Sequence, residues 1–208
     1  MNKKRYQNLF SSLGRRIVLA LSLVLALGLF LAPNIQAQIK QSKVSIERTI
    51  LDCTLGVSTP KQVEEIVQKL GGEIIQNYYS PQPARYTVTY IATGLMYEGS
   101  ATRRVLFQFY RGQLVFVSLS FVEQQALNRI ESLLVGKYGV MEKSQDASPI
   151  VVMKQIQDAH TELWITKNYT TKSHQVFKDG TIGYADRALS QAQRAESGER
   201  RRPLVSVR

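Results

Sequence analysis

A single cysteine in 208 residues excludes an internal disulfide framework and any cysteine-rich zinc or iron–sulfur centre. Two histidines leave little room for a multi-histidine metal site. The glycine-rich phosphate loops, the HExxH zinc helix, the GxSxG nucleophile elbow and the EF-hand calcium loop are all missing. The one long apolar run, residues 17–32, stops at 16 residues. As a helix it would rise about 24 Å, short of the ~30 Å hydrocarbon core of a bilayer. What remains is 44% hydrophobic and 21% charged, an ordinary globular composition. That excludes wholesale disorder and collagen-like chains. The length suits one domain with a proper core plus some extra.

The extra lies at the ends. Residues 1–37 read as a secretory signal: Lys3, Lys4, Arg5, Arg15 and Arg16 precede the apolar run, Pro33 ends it, and Ala37 offers a small residue for cleavage. The alternative is an uncleaved anchor held in the inner membrane by residues 17–32. No cysteine follows the run, so a lipid anchor has no attachment point there. This division changes the meaning of the net charge of +11. The leader holds five basic residues and no acidic one, and residues 187–208 hold six arginines against two glutamates. The body between carries 16 basic and 14 acidic residues, so a nucleic-acid partner has little electrostatic support.

Along the body, Leu51, Cys53, Leu55 and Val57 alternate with polar or small residues, the pattern of a half-buried strand. Thr59, Pro60 and Gln62 form a helix start, with a capping threonine, a proline at the first helical position and a capping-box glutamine. Val63, Ile66, Val67 and Leu70 give that helix one apolar stripe, and Gly71-Gly72 stop it. Strands are expected over 74–79 and 84–93, then a loop over 93–101. A hairpin follows over 104–110 and 114–121. Its core residues are all odd-numbered, so a three-residue loop, Arg111-Gly112-Gln113, would pair odd with odd. A second helix is expected over 123–138, stopped by Gly139, and then a polar loop over 142–149. Strands over 150–156 and 161–167 flank a turn, and a last hairpin is expected to turn at Lys178-Asp179-Gly180. From Ala188 the apolar pattern fades into what reads as a frayed helix and a disordered basic tail, residues 187–208.

Short connections between consecutive strands call for an antiparallel sheet. Two singly striped helices would pack on one face of it, giving a two-layer α+β domain over residues 38–186.

Little in this pattern carries chemistry. Asp158 and His160 share a turn and His174 lies in a polar stretch; these three are the candidate catalytic residues of a loop-built hydrolase. Cys53 sits on an apolar face between Leu51 and Leu55 and reads as a small core residue. Tyrosine is common, and Tyr78, Tyr86 and Tyr90 with Arg85 and Arg104 are the candidate binding surface, an aromatic patch with a basic rim. No metal or cofactor is implied. Arg200, Arg201 and Arg202 offer weak contact with an anionic membrane surface.

The segment Leu55-Gly56-Val57-Ser58-Thr59-Pro60-Lys61-Gln62-Val63, with Leu70-Gly71 after it, resembles the L-G-x-[ST]-x-x-[QE]-V opening of many small exported bacterial envelope proteins. Outer-membrane assembly lipoproteins of the SmpA/OmlA type open in a similar way, and the hairpin over 106–121 and Lys137-Tyr138-Gly139 share the same style. The resemblance implies an exported α+β envelope protein and transfers no site residue. The expectation is therefore a periplasmic or secreted, non-catalytic binding module for an envelope protein, peptide or glycan. The alternatives are a periplasmic hydrolase, or a membrane-anchored accessory subunit if the leader is retained.

Overall fold

The computed structural model describes residue 42 and residues 44–79, 87–144, 148–171, 173 and 176–196, all within one compact unit. Its strands are β1 (Thr49–Ile50), β2 (Cys53–Thr54), β3 (Glu73–Tyr79), β4 (Thr87–Thr93), β5 (Met96–Tyr97), β6 (Ser100–Ala101), β7 (Arg104–Tyr110), β8 (Gln113–Phe121), β9 (Glu142–Lys143), β10 (Val151–Gln157), β11 (Thr161–Tyr169) and β12 (Phe177–Asp186). Its helices are α1 (Pro60–Lys69), α2 (Gln124–Tyr138) and α3 (Arg187–Glu196).

The dominant element is one eight-stranded antiparallel sheet in the order β3-β4-β7-β8-β12-β11-β10-β9, with β1-β2 and β5-β6 as separate two-stranded hairpins. This corrects the two-layer α+β expectation: the described residues are mainly antiparallel β, an eight-stranded sheet and two small sheets with three helices. Helix α1 touches β2 and β3, while α2 and α3 each touch β8 and β12.

Register decides which side is which. Tyr90 pairs with Phe107, Phe107 with Val117, Val117 with Tyr184, Tyr184 with Leu163 and Leu163 with Ile156, one continuous row of buried side chains. Val63 and Val67 of α1 and Leu127, Ile130, Leu134 and Tyr138 of α2 complete this cluster. Each fully buried leucine or phenylalanine contributes roughly 1.5–3 kcal/mol. An exposed ion pair such as Lys61–Glu65 contributes about 0–1 kcal/mol, so the core and not the surface charge holds the sheet together.

The helix signals act as expected. Thr59 and Gln62 form the capping box of α1, and Gly139 ends α2 with φ +100°. Four other expectations are corrected. The strand expected from Thr49 is a tight hairpin, because Leu51 and Asp52 both take positive φ between β1 and β2. The loop over 93–101 contains the β5–β6 hairpin, turning at Glu98-Gly99, also with positive φ. The β7–β8 loop has two residues, Arg111-Gly112, again with positive φ at both, and Tyr110 pairs with Gln113. Parity is restored by a bulge: Phe109 pairs with Leu114 but Gln108 with Phe116, which returns Val117 and Leu119 to the core side. The Lys178-Asp179-Gly180 turn does not exist, and these residues run inside the continuous strand β12. Gly180 is there for clearance, since a Cβ would overlap the Leu127 side chain of α2.

Residues 187–196 form α3. Asp186 Oδ1 accepts from the Leu189 amide at 2.9 Å, a capping bond on the first turn. Arg48 ion-pairs with the other oxygen of Asp186, and Arg111 ion-pairs with Glu196 near the far end. Gln193 Nε2 donates to Thr87 Oγ1 at 3.1 Å. Thr87 is registered with Tyr110, on the side opposite the Val88–Phe109 pair of the core, so α3 lies on the second face of the sheet. It covers one end of that face, and among the described residues no other helix lies on it. Among the described residues no helix is long and apolar enough to cross a membrane. The leader, the Arg200–Arg202 cluster and the 17–32 run lie outside the described residues.

Candidate functional site

The turn that carries Asp158 and His160 is built around the aspartate. Its Oδ1 accepts from the backbone amides of His160 and Thr161, both at 2.7 Å. Its Oδ2 accepts from the Ile46 amide at 2.5 Å and from the Ser45 hydroxyl at 3.3 Å. Burial alone would raise this carboxyl's pKa, but these four donors outweigh it and the net shift is downward. Both oxygens are thus occupied in fastening the 44–48 segment to the β10–β11 turn. The His160 side chain is exposed. His174 lies outside the described residues.

Cys53 is fully buried, and burial, with Asp52 adding to it, pushes its thiol up to about 12. A buried thiol held protonated in this way is a poor nucleophile. Among the described residues no group of three His, Cys, Asp or Glu side chains is placed to hold a metal ion.

The tyrosine patch is divided by the sheet. Tyr78 pairs with Thr89 and is 54% exposed on the second face. Tyr90 points the other way, into the core, edge-on to Phe109 with ring centroids 5.3 Å apart. Burial, with Glu64 adding to it, raises the Tyr90 hydroxyl to about 12. Arg104 is exposed and pairs with Ser120 at the margin of the second face. Tyr86 and Arg85 lie outside the described residues.

A different aromatic pair occupies the second face. Phe116 and Trp164 are stacked, with centroids 5.3 Å apart and planes 14° from parallel. They belong to β8 and β11, which are separated by β12. Strand alternation places them there: Val117 and the Leu163–Ile165 pair point to the core, so Phe116 and Trp164 point away from it. The two rings meet across β12 because its residue opposite Trp164 is Gly183. A Cβ at that position would overlap the indole ring. Stacked aromatics of this kind gain about 0.5–1.5 kcal/mol beyond the area they bury.

Around the pair, register assembles a neutral polar field. Ser118 and Gln155 flank Gly183 and Trp164 in one row, Gln108 faces Phe116, and Ser120, Thr181 and Thr166 form the adjacent row. All are half-buried, and among the described residues their side chains make no hydrogen bond. Of the charged residues, half-buried Glu162 lies beside the pair, two residues from Trp164 and in the row of Phe116, while Arg104 and Glu142 stand farther out.

One further concavity, about 240 Å³, lies at the end of the core side between the 51–52 and 98–99 turns. It is lined by Glu47, Asp52, Glu98, Tyr97 and Tyr184 among others. The two tyrosine hydroxyls share a 2.7 Å hydrogen bond, and burial raises Tyr97 to about 12. Glu47 is already paired with Lys137 at 2.6 Å.

Two out-of-phase aromatics and a mid-strand glycine were the signals for the second face in the sequence. Phe116 is the one large apolar residue at an even position between Val115 and Phe121, and Trp164 sits between two core aliphatics. No protein-family model, no curated protein and no solved structure matches the chain.

Proposed function

We propose that this chain is an exported, non-catalytic binding module of the cell envelope, and that it binds through the second face of its sheet. The observation that carries the reading is the Phe116–Trp164 stack, built over Gly183 on a face that, among the described residues, α3 covers at one end. Half-exposed stacked aromatics ringed by hydroxyl and amide groups offer both contact area and directional bonds to a partner. The aspartate of the catalytic alternative supports this reading too, since four donors leave it no oxygen for proton transfer. Export rests on the leader pattern of residues 1–37 and the resemblance to small envelope proteins.

The test is co-sedimentation of the purified protein with isolated envelope fractions. The wild type is expected in the pellet, and Trp164→Ala and Phe116→Ala are expected to stay in the supernatant while keeping the wild-type circular dichroism spectrum. Equal sedimentation of all three proteins would count against this face. Intact mass of the exported protein is expected to match a start at Gln38; a start at Met1 would sink the cleaved-leader reading.

A further inference from the structure

We infer that the second face takes a neutral saccharide chain. This inference rests on the binding-module reading and names the ligand class of that same surface. Three features of the face choose among partners. First, charge is sparse beside the stack: Gln108, Ser118, Gln155 and Thr181 are neutral, Glu162 is the one carboxylate next to it, two residues from Trp164 in the row of Phe116, and Arg104 and Glu142 lie farther out. An acidic polymer would want a cluster of arginines or lysines, and a basic peptide would want carboxylates. Charge complementarity therefore points to a neutral ligand.

Second, the apolar surface around the aromatic pair is small and broken up, with Leu106 and Ile91 on one side and Met153 and Val151 on the other and Tyr78 apart from them, in a field of hydroxyl and amide groups. A protein partner's interface core wants contiguous apolar area that becomes fully desolvated. It would bury side chains such as Gln108, Ser118, Gln155 and Thr181, at a cost for each one left unmatched. A sugar ring is amphipathic in the matching sense. Its axial C–H face can lie on an aromatic ring while its equatorial hydroxyls bond outward to side-chain oxygens and amides.

Third, the aromatic pair is packed against its surroundings. Trp164 stacks on Phe116 and lies close against the backbone of Gly183, contacts that restrict its rotamers before a ligand arrives.

Trp164 is the only tryptophan in the chain, so intrinsic fluorescence reports on this face alone. The experiment titrates the full exported protein with chitohexaose, cellohexaose and maltohexaose while Trp164 emission is recorded. A saturable shift or quench is expected with at least one of them. Phe116→Ala is expected to weaken that binding at least tenfold, and Ser118→Ala or Thr181→Ala a few-fold, with unchanged unfolding midpoints. No saturable change with any of the three overturns the saccharide inference. If sedimentation with the envelope still depends on Trp164 in that case, the binding-module reading stands and its partner is a protein. If neither response is seen, both fall. A saturable change that Phe116→Ala leaves intact also overturns the inference, because the stack is then not the platform.

Discussion

Asp158→Asn isolates the fastening of the 44–48 segment. In the native state each carboxylate oxygen accepts two donors, at 2.7 and 2.7 Å on one side and 2.5 and 3.3 Å on the other. The amide keeps one oxygen and turns an NH2 group toward the other pair. Either the Ile46 and Ser45 donors or the His160 and Thr161 donors then face a donor instead of an acceptor. Hydrogen bonds to a charged group contribute about 1.5–3 kcal/mol each. Losing two, with partial rescue by water at this part-buried turn, should cost about 2–4 kcal/mol. With a urea m-value of about 1–3 kcal/mol/M, the unfolding midpoint should fall by roughly 1–2 M at unchanged slope. The effect has a sign in pH. The folded-state pKa of Asp158 lies below its unfolded value, so its contribution is fully present above the unfolded pKa of about 3.9 and is lost as pH falls through the folded one. The wild type should therefore converge on the variant in acid, because a protonated Asp158 has the same donor conflict as asparagine. A midpoint shift below about 0.3 M at pH 7, or a difference that does not shrink on acidification, would refute the reasoning.

Glu131 should add to the same acid sensitivity. Burial raises its carboxyl's pKa, but Lys154 and Lys167, at 2.6 and 2.5 Å, outweigh it and the net shift is downward. Glu131→Gln should flatten the stability-versus-pH curve below about pH 5 in urea titrations. Gly180→Val drives a side chain against Leu127 and the Thr166 carbonyl in a strand paired on both sides, and should destabilise by about 2 kcal/mol or more, read as a lowered melting temperature. Cys53 should resist a thiol reagent in the folded protein and react only at the rate of unfolding, as judged by labelling across a urea series.

The parts of this fold that were legible in the sequence are those with local causes. The box formed by Thr59 and Gln62 and the stripe of Val63 and Val67 define α1 without reference to the rest of the chain. The odd-numbered core of β7 and β8 was legible too, but the means of keeping it was not. A two-residue turn plus a bulge at Leu114–Val115 does the work expected of a three-residue loop, and both solutions satisfy the same alternation. Gly180 misled because glycine after Lys178-Asp179 has turn chemistry. Its actual reason, the approach of Leu127 from α2, is tertiary. The α+β expectation failed for a related cause: two-residue strands such as β5, β6 and β9 are too short to show a period. The candidate site divides the same way. Composition drew attention to tyrosines, but pairing puts Tyr78 and Tyr90 on opposite faces. The Phe116–Trp164 contact needs the strand order β8-β12-β11, which brings residues 48 positions apart together over Gly183.

The central claim is that the second face of the sheet is the working surface. Amide chemical-shift mapping of the 15N-labelled protein during titration with the envelope fraction it sediments with, solubilised, tests it most directly. The account predicts that the largest changes fall on Leu106, Gln108, Phe116, Ser118, Trp164 and Gly183. Changes confined to the Asp158–His160 turn, or to the concavity beside Tyr97 and Tyr184, would contradict it.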